Sequence, residues 1–181
     1  MIPALMMILA AGAGADRPAT PVIDTADATE PARWVAIHDT VMGGVSRGGL
    51  EHAEGRLVFR GHLSLENNGG FASVRTLPRD LGLAGAAGLR LRVRGDGRTY
   101  QLRLRPDDAF DGVAWRFEFP TTAGRWTEVE APLAAFEPVW RGRRVERAGA
   151  IDGARVRQLG VMIADKQAGD FRLEIARVEA Y

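Results

Sequence analysis

The stretch GLRLRVRGDGRTYQLRLR, residues 88–105, constrains the fold of this chain more tightly than any other. Leu89, Leu91 and Val93 alternate with Arg90, Arg92 and Arg94. After Gly95-Asp96-Gly97, Tyr100, Leu102 and Leu104 alternate with Gln101, Arg103 and Arg105. A period of two sends successive side chains to opposite faces, which is the signature of a half-buried strand and not of a helix. Alternation on both sides of a Gly-Asp-Gly turn predicts a β-hairpin. The apolar set then faces a core, and Arg90, Arg92, Arg94, Arg103 and Arg105 share the outer face of that hairpin. Like charges opposite one another across strands cost roughly 0.2–1 kcal/mol per pair, so an anion must relieve them. Either an acidic neighbouring strand supplies it, with Glu118 and Glu174 as the carriers, or an anionic partner does, held by guanidinium forks.

The same alternation recurs at 56–65, 113–119, 125–131, 157–164 and 170–181, punctuated by Gly, Pro, Asn and Asp. No segment sustains a helical stripe. Many short strands joined by short turns predict an all-β sandwich, and a strand at the very end of the sequence suits a jelly roll. With 181 residues, 46% of them hydrophobic, the chain can build one such domain. A net charge of +1 gives no overall field that points to nucleic acid. The absence of cysteine excludes disulfides, thiolate metal sites and a cysteine nucleophile.

Residues 1–15, MIPALMMILAAGAGA, form a short apolar run ending in an Ala-x-Ala pattern, which reads as a signal peptide. The run is too short for a stable transmembrane anchor, and its start lacks Lys and Arg, so a cytoplasmic tail is the other reading. Export follows if the segment is cleaved; a cytoplasmic location follows if it is not. Residues 16–32, rich in Pro, Thr, Ala and Asp, read as a linker, with a single folded domain over 33–181.

The segment HDTVMGGVSRG, residues 38–48, carries Gly44-x-Ser46-x-Gly48, which matches the nucleophile elbow of α/β-hydrolases. The match lacks its context: no helix follows, and beyond His62 the chain has no histidine to serve as a base. Nor does a Gly-Lys-Ser/Thr follow to make a phosphate loop. His38, His52 and His62 lack ligand spacing, although loop carboxylates leave a calcium ion open. Asp39 and Thr40 can turn the chain by side-chain hydrogen bonds. Gly43 and Gly44 then supply positive φ or close approach, with Met42 and Val45 entering the core on either side. ENNGGFASVR, residues 66–75, repeats this chemistry through Asn67, Asn68, Gly69 and Gly70. The two loops can be tight turns only, or they can pack at one end of the sandwich as a polar rim.

DTVMGGVSRG (39–48), ENNGGFASVR (66–75), RGDGRTY (94–100), the Trp126 segment leading to Pro132-Leu133 and Phe136, and LGVMIADKQAGDFRLEI (159–175) together resemble the complex I intermediate-associated protein 30 family, the NADH:ubiquinone oxidoreductase assembly-factor domain. His38 departs from the Asn common there. The resemblance implies a galactose-binding-like jelly roll related to carbohydrate-binding modules, and a non-catalytic binding or chaperone role without cofactor. The implied partner is a protein such as a respiratory-complex subunit or assembly intermediate. Its loop surface would be Asp39, Thr40, Gly43, Gly44, Ser46, Asn67, Asn68, Gly69 and Gly70. A carbohydrate-binding module of the cell envelope is the alternative, and it would need an exposed aromatic platform; Trp140 is the best placed for one.

Overall fold

The computed structural model describes residues 19–181; the expected signal segment, 1–15, lies outside them. The strands are β1 (Thr20–Ile23), β2 (Trp34–His38), β3 (Arg47–Ala53), β4 (Arg56–Leu63), β5 (Ala72–Thr76), β6 (Gly88–Arg94), β7 (Thr99–Arg105), β8 (Ala114–Pro120), β9 (Trp126–Pro132), β10 (Glu137–Trp140), β11 (Arg143–Arg144), β12 (Gln158–Ile163) and β13 (Gly169–Ala180). Short 3-10 turns are the only helical elements among the described residues, and no helix there is long and apolar enough to cross a membrane.

Two antiparallel sheets enclose one core, as the alternation predicts. Sheet A runs β3-β4-β13-β6-β9 with β1 beside β13, and sheet B runs β11-β10-β8-β7-β12-β5-β2. Leu57 and Phe59, Leu89 and Leu91, and Leu173 and Ile175 point inward from sheet A. Tyr100, Leu102 and Leu104 meet them from sheet B with Leu159, Val161 and Ile163; all are buried. The order within each sheet is non-sequential, so the chain crosses repeatedly from one sheet to the other, as a jelly roll requires.

One such crossing corrects the expected hairpin. β6 pairs with β13 and β9, whereas β7 pairs with β8 and β12, so Gly95-Asp96-Gly97 is a corner between sheets. Gly95 permits the tight passage: a Cβ there would lie 2.3 Å from Thr121 Oγ1. Asp96 anchors the corner, its Oδ2 accepting from the Tyr100 hydroxyl at 3.0 Å and from the Arg172 amide at 2.7 Å. The inward residues were correctly read because both strands face the same core. The arginines do not share a face: Arg90, Arg92 and Arg94 lie outside sheet A, and Arg103 and Arg105 outside sheet B.

The linker expected over 16–32 is also corrected over 19–32; residues 16–18 lie outside the described residues. β4 covers β13 only from Gly169 to Ile175, and β1 completes the same strand by pairing with Val178–Ala180. Glu30 is buried, accepts from Trp34 Nε1 at 2.9 Å and pairs with Arg33 at 2.7 Å and with Arg79. The folded unit therefore includes Thr20 onward.

Candidate functional site

The two Gly-Gly loops pack together, and Asp39 is what joins them. β2 ends at His38, and a 3-10 turn over Asp39–Met42 follows. Gly43 stops it in the left-handed region at φ 88°, where a side chain is strained. Asp39 folds back under the turn and is fully buried. Its Oδ1 accepts from the Ser46 amide at 2.9 Å; its Oδ2 accepts from the Ser46 hydroxyl at 2.6 Å, the Gly70 amide at 2.7 Å and the Phe71 amide at 3.4 Å. Burial alone would raise this carboxyl, but the hydroxyl and the amides outweigh it and hold Asp39 below the usual carboxylate range.

The neighbouring glycines exist to admit that carboxylate. A Cβ on Gly44 would stand 2.4 Å from Asp39 Oδ1, and one on Gly69 would stand 2.5 Å from Asp39 Oδ2. Asn67 and Asn68 take left-handed conformations, φ 55° and 59°, which asparagine tolerates better than most residues. Asn67 Nδ2 donates to the Gly43 carbonyl at 3.2 Å and closes the loops from outside. Thr40 is exposed at the rim. The nine loop residues singled out in the sequence thus all belong to these two segments, but Asp39, Gly44 and Ser46 lie buried beneath the surface they shape.

The Ser46 hydroxyl is equally committed, since it also accepts from the Ser64 amide at 2.9 Å. His38, the last residue of β2, is occupied elsewhere: Nδ1 accepts from the Ser73 amide at 3.2 Å, which leaves Nε2–H to donate to the Gly48 carbonyl at 2.9 Å. Ser46 therefore has neither the exposure nor the imidazole partner of a nucleophile. Among the described residues, no group of three or more His, Asp or Glu side chains is placed to hold a metal ion.

Two expected core plugs are corrected. Met42 is 64% exposed and Val45 is 45% exposed; Val41 at 60% and Leu65 at 45% join them on the same two loops. The 3-10 turn gives its buried position to Asp39, so the following apolar side chains point outward. Loop residues carry no periodicity from which this could be read.

The arginines divide by sheet. Outside sheet A, Arg90 pairs with Glu130 at 2.8 Å, Arg92 approaches Glu128 at 3.9 Å, and Arg94 pairs with buried Glu174 at 2.8 Å. Arg56 at 2.7 Å and Arg172 at 3.2 Å complete the shell around Glu174. Here acidic neighbours relieve the charge. Outside sheet B, Arg103 stands opposite Arg116, and neither Arg103 nor Arg105 reaches a carboxylate. Arg105 donates to the Gly112 carbonyl at 3.2 Å, and Arg103 contacts Met162 Sδ at 3.2 Å. Arg75 joins this group from β5. Its signal was present in its alternation with buried Val74 and Thr76.

Residues 23–175 match the family model described as complex I intermediate-associated protein 30. The mitochondrial complex I intermediate-associated protein 30 of Mus musculus is 33% identical over 91 residues, covering 48% of this chain and 28% of that protein. The corresponding Drosophila melanogaster protein is 35% identical over 94 residues, covering 48% of this chain and 31% of that one. The match thus spans less than a third of the length of these relatives. Among solved structures, a family 11 carbohydrate-binding module of a Clostridium thermocellum cellulase superposes with a TM-score of 0.67 at 11% identity, covering 90% of this chain and 93% of that one. That likeness establishes the jelly-roll fold. The family match covers most of the sequence and takes in both loops of the Asp39 hub, so this chain belongs to the complex I intermediate-associated protein 30 family.

Proposed function

We propose that this chain is a non-catalytic protein-binding module that acts in assembly of respiratory complex I, and that it grips its partner with the two loops tied by Asp39. The observation that carries this reading is the exposure of Val41, Met42, Val45 and Leu65 on loops whose backbone is fixed from beneath. Apolar side chains grouped on a surface mark interaction sites, and methionine adapts its shape to a partner. Holding them on a rigid base lowers the ordering cost of binding. The family membership supports a complex I subunit or assembly intermediate as the partner.

Carbohydrate recognition is the weaker reading, because the tryptophans make poor platforms. Trp34 and Trp115 are buried. The Trp126 ring is approached by Arg56, Arg92 and Arg94 within 5.0–5.9 Å, and Arg141 lies 4.9 Å over Trp140. Affinity purification of the tagged full chain from its own cells, followed by mass spectrometry, separates the two. Complex I subunits should accompany the wild type and be lost from a Met42→Ser/Val45→Ser double variant of unchanged melting temperature. Their absence from the wild type, or equal retention by the variant, removes this reading. Retention of the wild type on an immobilised β-glucan would favour carbohydrate instead.

A further inference from the structure

The outer face of sheet B holds a cluster of arginines that the loop surface does not use. In register across it stand Arg116 on β8, Arg103 on β7, Gly160 on β12 and Arg75 on β5; Arg105 follows on β7 beside Gln158. Gly160 leaves a notch between two of these stems. A Cβ there would sit 3.2 Å from Arg75 Cβ, 3.6 Å from Arg103 Cβ and 3.1 Å from the Val74 carbonyl oxygen.

Arg116 is neutralised by Glu137 at 3.3 Å and Glu118 at 3.5 Å. The other three have no ion pair among the described residues. Arg75 donates to the Phe110 carbonyl at 2.9 Å and lies 5.0 Å over its ring, yet Arg75 Nε and Arg103 Nε are both buried without a hydrogen-bond partner. Burial, with Arg105 and Arg116 close by, pushes Arg103 down to about 10; Arg75 and Arg105 are lowered too, by burial first. Glu118, Asp107 and Asp111 attract these groups only from beyond ion-pair distance, and half-buried guanidinium groups without a close partner add little to a fold. They are suited to an oxyanion, which a guanidinium binds through paired N–H donors. A groove of about 310 Å³ adjoins Arg75, walled by Val35, Ile37, Leu77 and Phe110 and also by Asp108, whose charge Arg157 offsets at 3.3 Å.

We propose that Arg75, Arg103 and Arg105, arranged about the Gly160 notch, bind the oxyanion group of a small organic acid, a carboxylate or a phosphate, whose apolar body lies in the groove between Val35, Leu77 and Phe110. The carbonyls of Phe110 and Gly112 steer the guanidinium groups of Arg75 and Arg105. Nothing in this site depends on the Met42 loop, so its failure and that of the assembly reading are distinct.

The test is calorimetric titration of the full chain with benzoate, phenyl phosphate and inorganic phosphate at constant ionic strength, against chloride. Saturable binding of benzoate or phenyl phosphate, tighter than that of inorganic phosphate, is expected; whichever binds identifies the oxyanion. Arg103→Met should weaken it at least about tenfold, the loss of one charge-assisted pair, while the melting temperature stays equal or rises because repulsion is relieved. Absence of saturable binding by both organic probes overturns the proposal. So does binding that survives Arg103→Met and Arg75→Met, or an Arg103→Met variant that unfolds together with Arg103→Gln, since the arginine would then be structural.

Discussion

The Ser46 hydroxyl meets Asp39 Oδ2 at 2.6 Å with both side chains buried, and that bond fastens the start of β3 to the turn that precedes it. Because the folded carboxyl lies below its ordinary value, its contribution is complete above the unfolded value of about 4. That contribution is lost as pH falls through the folded value. Asp39→Asn should therefore cost about 3 kcal/mol at pH 7, since the amide presents hydrogens to groups that are themselves donors. The gap from wild type should narrow in urea melts below about pH 4. A gap constant with pH would mean that the charge is not what holds the loops.

Gly43 and Gly44 are required for different reasons, and alanine separates them. Gly43 has φ 88° and open space around it, so Gly43→Ala should cost about 1 kcal/mol of backbone strain. Gly44→Ala and Gly69→Ala drive a methyl into the buried carboxylate and should each cost about 2–3 kcal/mol or more. Thermal melts that rank Gly43→Ala as the most damaging would contradict the packing.

Outside sheet A, one carboxylate matters more than the many pairs around it. Glu174 is buried beneath Arg56, Arg94 and Arg172, so Glu174→Gln should destabilise by about 1–2 kcal/mol, because three pairs are lost at once while solvent still reaches the arginines. Arg92 is half exposed and 3.9 Å from Glu128; Arg92→Ala should change stability by less than about 0.5 kcal/mol. Chemical denaturation of the two variants checks the contrast, and equal losses would refute it.

What the sequence made legible was facing, not pairing. Alternation says that Leu91 and Leu102 point inward, and both do. It is silent on whether their strands are neighbours, because a corner and a hairpin share the same Gly-Asp-Gly chemistry. The packing of one Gly-Gly loop on the other was legible as an option. The burial of Asp39 and the exposure of Met42 were not, because a single 3-10 turn sets both and imposes no repeat. β1 was hidden for another reason: its Pro- and Thr-rich composition resembles a linker, and its partner, the far end of β13, lies more than 150 residues away.

The central claim is that the outward apolar residues of the Asp39-tied loops touch a complex I assembly partner. Photo-crosslinking tests it most directly, with a photoreactive residue placed at Met42 and, as a control, at Glu130 on the outer face of sheet A. Irradiation in the producing cells should yield adducts containing complex I subunits from position 42 and none from position 130. Adducts to those subunits from position 130 alone, or from neither position, would contradict the account.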